Sequence, residues 1–364
     1  MKLFYIANIR MPSERAHSVQ VMHMCSALVA RGVEVTLLVP NRATTSADPF
    51  VYYGLPPNFL IEKVNVLDLV RFGTVGFLIE SLMFAFRATR RVGREPDALI
   101  YTREELPLLF LPRLRAFYEA HQIRRSPLFK WAIGRAKGII AISQGLTTVL
   151  SCQGFPRGRI LVAHDGYDAS AFEVRVDKRE ARQRLLLPQD SKIALYIGGL
   201  ERWKGAEVLC NAEKLLAEHH IKVVVIGGTE AEVERFRTQY PGVIFLGSRP
   251  YRELAVNQQV ADVLVIPNSG REQISREFTS PLKLFAHLAS KIPIVASRLP
   301  SLCEVLSETT AYLVTPDDPR ALAEGIARAC READESRAKA EKAEVSARMY
   351  SWDARAKAVL EWIK

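Results

Sequence analysis

Two short segments in the second half of the chain carry the residue types that bind phosphate. Gly198 and Gly199 follow an apolar run, and Arg202 and Lys204 stand just before a predicted helix that starts near residue 206. Glycines let backbone N–H groups approach a phosphate, a helix N-terminus adds partial positive charge, and a basic side chain neutralises the remainder. The pattern predicts an anion site, with a plain strand-to-helix turn as the alternative.

The second segment is a predicted helix start at residues 279–290. Ser280 is expected to be the N-cap and Pro281 the first helical residue, so that free N–H groups of Leu282 and Lys283 point at an anion. Any capped helix has this pattern, which is the alternative. Gly227, at the end of the run 221–228, is a further candidate for binding the same ligand.

Lys204 and Lys283, each beside a helix N-terminus, together predict a site that holds a diphosphate without a metal ion. No Asp-x-Asp follows an apolar run, and the seven histidines lack metal-ligand spacing. We therefore expect neither a metal nor a cofactor, with the diphosphate group belonging to a co-substrate.

Polar residues in the first half also follow predicted strands. His121 ends one such strand, where a neutral imidazole can exchange a hydrogen bond with a sugar hydroxyl; a structural histidine is the alternative. The loop after the first strand is unusually polar and is a candidate acceptor loop, or else only the start of a helix. Its candidate acceptor-binding residues are Arg10, Ser13, Arg15 and His17.

The elements that must position these residues alternate between short β-branched runs and amphipathic helices, which predicts an α/β fold with parallel sheets. A polar stretch near residues 166–180 separates two series, so two doubly wound domains are expected. Such sheets bind ligands beyond the carboxyl ends of their strands, which here indicates the cleft between the domains. Strands are predicted at 3–9, 33–40, 59–65, 98–102, 114–121, 138–143 and 159–165, then at 192–199, 221–228, 243–248, 263–268 and 293–297, and closing helices from 319 to 364.

Composition and charge indicate a globular protein of two domains with an anionic partner. The chain has 364 residues, 48% hydrophobic and 25% charged, which is typical of two globular domains. Its five cysteines are scattered, and the first apolar run is too short for a signal peptide, so a cytoplasmic location is expected. Eight of the ten excess positive charges lie in residues 1–170, which indicates an anionic partner: a phosphorylated ligand, nucleic acid or anionic lipid.

Residues 67–94 mix large apolar side chains with five arginines near the two ends. A core helix with a basic end is the main interpretation, and contact with an anionic membrane surface is the alternative.

Six motifs follow one another along the chain: RMPSERAHSVQVMHMCSALVARGVEVTLLVP, YEAH, AISQGL with ILVAHDGYDASAF, YIGGLERWKG, TSPLKLF through PIVAS, and YSWDARAKAVLEWI. In order and spacing they resemble the retaining glycosyltransferases of family 4, which have the GT-B fold of two facing Rossmann-like domains with an interdomain cleft. The resemblance implies an acceptor domain at 1–175, a donor domain at 176–345 and a helix at 346–364 that crosses back to the first domain.

The resemblance assigns roles residue by residue. It implies that Lys204 binds the donor diphosphate, that His121 lies near the reacting sugar or acceptor, and that the turn at 280–283 cradles the phosphates. Family members usually have two glutamates where this chain has Phe278 and Ala286. Glu277, one residue out of register, is a candidate substitute for the first.

A further departure lies in the glycine turn. Gly199 stands where the family often has an arginine, whose charge Arg202 is expected to supply.

The leading hypothesis is a retaining, metal-independent glycosyltransferase that moves a sugar from a nucleotide-diphosphate-sugar donor to an envelope polysaccharide or glycolipid. It would act in the cytoplasm, peripheral to the inner face of the plasma membrane. The alternative is a non-catalytic GT-B pseudoenzyme that binds nucleotide or a partner glycosyltransferase, motivated by Ala286. A nicotinamide-dependent dehydrogenase would need G-x-G-x-x-G where the chain has Asn8-Ile9-Arg10. Nothing near TSPLKLF favours a sugar-nucleotide epimerase, and no motif supports nucleic acid as a partner.

Overall fold

The structure, a computed structural model, describes residues 1–42, 47–124, 126–173 and 176–364. Contacts divide it into two compact units, Met1–His164 with Trp352–Lys364, and Asp165–Ser351. The first predicted boundary, after residue 175, falls at residues 174–175, which lie outside the described residues. The segment that groups with the first unit starts at Trp352, compared with the predicted start at 346.

The first unit contains a seven-stranded parallel sheet in the order β3-β2-β1-β4-β5-β6-β7. Its inner strands are runs of apolar and β-branched residues that are buried along most of their length, as parallel sheets covered by helices require, whereas the edge strands β3 and β7 are more exposed. The strands are β1 (Lys2–Ile6), β2 (Glu34–Asn41), β3 (Leu60–Asn65), β4 (Leu99–Thr102), β5 (Ala116–Ala120), β6 (Gly138–Ala141) and β7 (Ile160–Val162).

Helices connect these strands. The longest is α3, and the last, α16, comes from the end of the chain and packs against α1. On β6, a Cβ added to Gly138 would lie 2.2 Å from the ring of Trp362, so only glycine admits α16 at this distance. The helices are α1 (Ala16–Ala30), α2 (Pro49–Tyr53), α3 (Gly73–Val92), α4 (Leu106–Phe110), α5 (Pro127–Gly134), α6 (Gln144–Cys152) and α16 (Trp352–Ile363).

The second unit contains a six-stranded parallel sheet in the order β10-β9-β8-β11-β12-β13. The strands are β8 (Lys192–Ile197), β9 (Ile221–Ile226), β10 (Ile244–Phe245), β11 (Val263–Ile266), β12 (Ile294–Ser297) and β13 (Tyr312–Val314). The helices are α7 (Lys178–Arg184), α8 (Ala206–Asn211), α9 (Glu213–Ala217), α10 (Glu230–Gln239), α11 (Leu254–Gln258), α12 (Leu282–Ala289), α13 (Pro300–Cys303), α14 (Pro319–Arg331) and α15 (Ala333–Ala347).

The predicted α/β class and the two Rossmann-like sheets are confirmed. Every predicted strand is present, generally one to three residues shorter at its carboxyl end. One edge strand, β13, was not predicted.

The strand order reverses once in each sheet, between β1 and β4 and between β8 and β11. At such a point the loops after the two neighbouring strands diverge to opposite faces and leave a crevice at the carboxyl ends. The polar residues described next lie at these ends.

Candidate functional site

The glycine turn after β8 leaves room for a ligand. Gly227 has a φ of +124°, and a Cβ there would lie 2.1 Å from the carbonyl oxygen of Gly198. The N–H of Gly198 donates to the carbonyl of Ile226 (2.9 Å), and that of Gly227 to the carbonyl of Gly247 (2.8 Å). These two predicted site residues therefore keep the turn free of side chains, while their N–H groups are used within the unit.

Lys204 ends a short 3-10 turn, Arg202–Lys204, directly after the glycines. Its Nζ lies 2.9 Å from Oε2 of Glu201 and 5.3 Å from the ring centre of Trp203. Gly205 follows with a φ of +72° as the N-cap of α8, which begins at Ala206, as the sequence predicted. Arg202 is exposed on the same turn. Lys204 is thus oriented by Glu201 at the carboxyl end of β8.

The predicted cap of α12 is wrong. Pro281 occupies the N-cap position with an extended backbone, and α12 begins at Leu282. The hydroxyl of Ser280 accepts a hydrogen bond from the N–H of Asp165 (3.0 Å), a residue far away in sequence. Because this contact takes the Ser280 side chain away from the helix, α12 starts without a side-chain cap.

Lys283, in the first turn of α12, has an amine without a hydrogen-bond partner among the described residues, and its Nζ is shielded from solvent. The Nζ lies 4.1 Å from the ring centre of Tyr196, whose hydroxyl donates to the carbonyl of Gly199 (2.6 Å). Burial, and then the charge of Lys204, lowers the pKa of Lys283 well below its ordinary value, against the opposing charge of Glu201. A shielded amine with no acceptor is costly, so this arrangement points to an anionic ligand.

The positions of the usual family glutamates are apolar and buried. Phe278 is 7% exposed, and Ala286 is fully buried among the apolar residues of α12 and β12. Glu277 lies on a π-helical turn, Ile274–Phe278, and accepts hydrogen bonds from Gln273 and Arg276. The hydrogen bond from Gln273, helped by Arg276, lowers the pKa of Glu277. Glu277 is therefore an ionised, half-buried carboxylate.

In the first unit, His121 belongs to a buried polar network around Glu119. The imidazole Nε2 lies 2.5 Å from Oε1 of Glu119, which is fully buried. Gln20 donates to the same oxygen (2.6 Å), and Tyr101 and Arg355 donate to the other, Arg355 at 3.0 Å. Residues from α1, β4, β5 and α16 therefore fix one carboxylate.

The electrostatics of this network keep the histidine neutral. Burial alone would raise the pKa of Glu119, but the charge of Arg355 and the contact with His121 hold it well below its usual range. Burial, and then the nearby Arg103, lowers the pKa of His121 to about 4. At neutral pH, His121 donates its Nε2 proton to Glu119, which leaves Nδ1 as a hydrogen-bond acceptor.

The candidate acceptor loop is only partly free. Ser13 is buried, and its N–H and C=O both bond to the hydroxyl of Tyr53, at 2.8 and 2.7 Å. Arg10 and Arg15 are exposed. Burial, and then the charges of Arg103, Arg15 and His121, lowers the pKa of His17 to about 4. The structure therefore brings His17 close to His121 and uses Ser13 to anchor the loop.

Sequence reasoning missed the network partners of His121. The sequence predicts both Glu119 and His121 on the strand 114–121, two residues apart and hence on the same side of the sheet, which was a usable signal although the strand ends at Ala120. Arg355 lies 236 residues from Glu119, and no local pattern connects them. Arg103 donates to the side-chain oxygen of Gln20 (2.7 Å) and so extends the network towards His17.

In helix α3 the inner face carries a buried charged residue and the outer face is apolar, which is the reverse of the usual distribution in a helix at a protein surface. Among the described residues, one helix, Val70–Val92, is long and apolar enough to cross a membrane, and 39% of its apolar 18-residue window is buried in the protein. Its inner face contains Glu80, which is fully buried and paired with Arg42. Its outer face carries large apolar residues that are 37 to 70% exposed: Val75, Phe77, Leu78, Ile79, Leu82 and Phe86. The interpretation as a simple core helix is therefore wrong for the outer face.

Two family models match the chain. The model described as Glycosyltransferase Family 4 matches residues 17–171, and the one described as Glycosyl transferases group 1 matches residues 191–332. A D-inositol 3-phosphate glycosyltransferase of Corynebacterium urealyticum is 29% identical over 222 residues, 56% of this chain and 51% of the relative. A putative teichuronic acid biosynthesis glycosyltransferase of Bacillus subtilis, TuaC, is 28% identical over 202 residues, 55% of this chain and 48% of the relative. The chain spans about half the length of the curated relatives it matches.

Solved structures share the fold over the whole chain. A sucrose-phosphate synthase from Thermosynechococcus elongatus has a TM-score of 0.78 at 20% identity and covers 100% of this chain and 98% of its own. Anabaena HepE, in complex with UDP and glucose, has a TM-score of 0.74 at 16% identity and covers 100% and 99%. At these identities the likeness shows the fold.

Proposed function

Because the chain belongs to the family 4 (group 1) glycosyltransferases, we propose that it moves a sugar from a nucleotide-diphosphate-sugar donor to an envelope polysaccharide or glycolipid. The observation that carries the donor part is the shielded amine of Lys283 beside Lys204, two basic groups at the carboxyl end of β8. A diphosphate supplies the anionic acceptors that this site lacks. The UDP bound by the similarly folded HepE is consistent with this ligand class.

The chain's own basic groups account for departure of the leaving group. As the bond between the sugar and the diphosphate breaks, negative charge grows on the phosphate, where Lys204 and Lys283 stabilise it more in the transition state than in the ground state. In this proposal no metal is needed for that charge. The donor phosphate accepts the proton of the attacking hydroxyl, and the sugar retains its anomeric configuration.

Two further residues complete the proposed chemistry. We assign to neutral His121 a hydrogen bond through Nδ1 to a sugar hydroxyl, since Glu119 holds its other nitrogen. Glu277, ionised and half-buried, is assigned a contact to the donor sugar. Arg10, Arg15 and His17 are assigned to the acceptor.

The test of the donor site is a thermal-shift series with UDP, GDP, dTDP, ADP and CMP on wild type, Lys204→Ala and Lys222→Ala. Lys222 is an exposed lysine near the opposite end of the neighbouring strand β9 and serves as the matched control. A nucleotide at 100 times its Kd adds about 2.7 kcal/mol of stability. We expect one base to shift wild type and Lys222→Ala but not Lys204→Ala. Equal shifts in all three proteins would refute the role of Lys204.

The outer face of α3 supports a peripheral position on the inner face of the plasma membrane. Its apolar residues would enter the interface while Arg87 and Arg90, both exposed, meet anionic headgroups. Ile79→Asp with Leu82→Asp should abolish co-sedimentation with phosphatidylglycerol vesicles, whereas Val345→Asp, at an exposed apolar residue of α15, should not. Unchanged co-sedimentation of the double variant would remove α3 from this role.

Ala286 motivates the competing function, a non-catalytic relative that binds nucleotide or a partner glycosyltransferase. Its buried methyl group offers no contact to a ribose. The comparison is wild type with Ala286→Glu in a donor-turnover assay. An inactive wild type whose variant gains turnover would favour the non-catalytic function, and an active wild type whose variant loses turnover would oppose it.

A further inference from the structure

The two lysines approach the glycine turn from different elements. A Cβ added to Gly199 would lie 2.8 Å from the Nζ of Lys204, and a Cβ added to Gly198 would lie 3.5 Å from the Nζ of Lys283. Gly199 stands where similar sequences have an arginine. Arg202, the residue expected to replace that charge, is exposed on the turn instead. Lys283 and Lys204 are therefore the two basic groups next to residue 199, where similar sequences have an arginine.

The surroundings of Lys283 disfavour a charged amine when no ligand is bound. Tyr196 of β8 presents its ring face, and Lys204 of the following turn adds a like charge. The carboxylate of Glu201, on the same turn, is already bonded to Lys204. His287, one helical turn further along α12, is buried and neutral, since burial and then Lys283 lower its pKa to about 3. The charge of Glu201 is thus shared with Lys204, the Lys283 amine has no hydrogen-bond partner among the described residues, and desolvation outweighs the remaining attraction and favours the neutral amine.

We propose that Lys283 stands as a neutral amine in the unliganded protein and takes up one proton from solvent when a diphosphate binds, thereby supplying the charge missing at Gly199. This inference rests on the proposed donor site and adds a regulation to it. The ammonium forms only when an anion is present, so donor binding consumes a proton. A permanently charged arginine at residue 199 would bind without this linkage.

The linkage is measurable by isothermal titration calorimetry. UDP is titrated into the full chain at several pH values between 7.5 and 8.5, in HEPES, Tricine and Tris, whose ionisation enthalpies differ. The slope of binding enthalpy against ionisation enthalpy gives the protons taken up. The diphosphate of UDP is almost fully ionised and its uracil is neutral in this range, so uptake reports on the protein. Inorganic pyrophosphate is a second probe of affinity alone, because it carries the diphosphate without a base but itself exchanges a proton in this range.

We expect uptake approaching one proton in part of this range for wild type. Lys283→Met should take up none and should bind about 10- to 100-fold more weakly, the usual effect of losing a charge-assisted hydrogen bond. Lys222→Ala should match wild type in both respects. Binding of UDP by wild type without uptake, or equal uptake by Lys283→Met, would overturn the inference without refuting the donor site. Failure of both probes to bind would overturn the donor site and the inference together.

A rescue variant tests the idea of charge replacement directly. Gly199→Arg is sterically feasible, because the atoms that its Cβ would meet are the mobile ends of Glu201 and Lys204. In the Lys283→Met background, Gly199→Arg should restore affinity to within about 10-fold of wild type while proton uptake stays absent. A double variant that binds as weakly as Lys283→Met would contradict the replacement.

Discussion

Replacing Arg355 with methionine should destabilise the first unit through Glu119. The change removes a 3.0 Å contact to a fully buried carboxylate and the hydrogen bond from Nε to the carbonyl of His164 (2.9 Å). Leaving one member of a buried ion pair uncompensated costs about 3–5 kcal/mol. Glu119 keeps its hydrogen bonds from Gln20, Tyr101 and His121, so we expect the free energy of unfolding to fall by about 3 kcal/mol at pH 7.

The loss of unfolding free energy in Arg355→Met should shrink as the pH falls. In wild type the folded pKa of Glu119 lies below the unfolded value, so its ionised form stabilises the fold above about pH 4.5 and this contribution disappears on acidification. Without Arg355 the desolvation of Glu119 is less opposed, and its folded pKa rises. The penalty for Arg355→Met is therefore largest at pH 7 to 8 and shrinks towards pH 5.

Arg31→Met provides the matched control. Arg31, which follows α1, pairs with Asp353 of α16 at 2.6 Å, but this pair lies at the surface. Its loss should cost less than about 1 kcal/mol. Both variants are measured by urea unfolding at pH 5, 6, 7 and 8, with hydrogen exchange in β5 as the report from the first unit. A cost of Arg355→Met that equals the control, or that does not shrink on acidification, would refute the reasoning.

Two further predictions concern buried charge. Arg42→Met should lower the free energy of unfolding in urea by about 3 kcal/mol or more, because it leaves the buried carboxylate of Glu80 without its ion-pair partner. Arg91→Met, which removes a half-exposed ion pair from the helix that carries Glu80, should change this free energy little. Lys283→Met should raise the melting temperature of the second unit at pH 7 by about 2 °C or more, since it removes a desolvated amine. Because the folded pKa of Lys283 lies below its ordinary 10.5, the destabilisation is complete below the folded pKa and declines as the pH rises from there to 10.5, so the gain should vanish by about pH 11. A gain that persists at pH 11 would contradict this.

The fold was predictable because its signals are local. Apolar β-branched runs separated by amphipathic helices mark each long strand, and the glycine-rich turn marks the end of β8. The predicted strand 192–199 ran two residues past Ile197, because composition alone does not show where the chain turns away from the sheet. The three-residue edge strand Tyr312–Val314 is too short to stand out from a loop.

The candidate site was predictable only in part. Lys204 and Lys283 were found because a basic residue beside a helix start is a local pattern. The cap at Ser280 was wrong because Asp165, 115 residues away, competes for the hydroxyl. Arg355 was missed for the same reason, since its partner Glu119 becomes a neighbour only when α16 packs on α1.

The discontinuous first unit has a consequence for how the protein is made. Residues 1–164 leave the ribosome well before Trp352–Ile363, so in the nascent chain Glu119 has no guanidinium partner and the surface over Gly138 is uncovered. The second unit is continuous in sequence and can complete its core without later residues. The unit synthesised first is then the last to be completed. Chains that end at residue 351 and are released from the ribosome should resist protease in the second unit but not in the first.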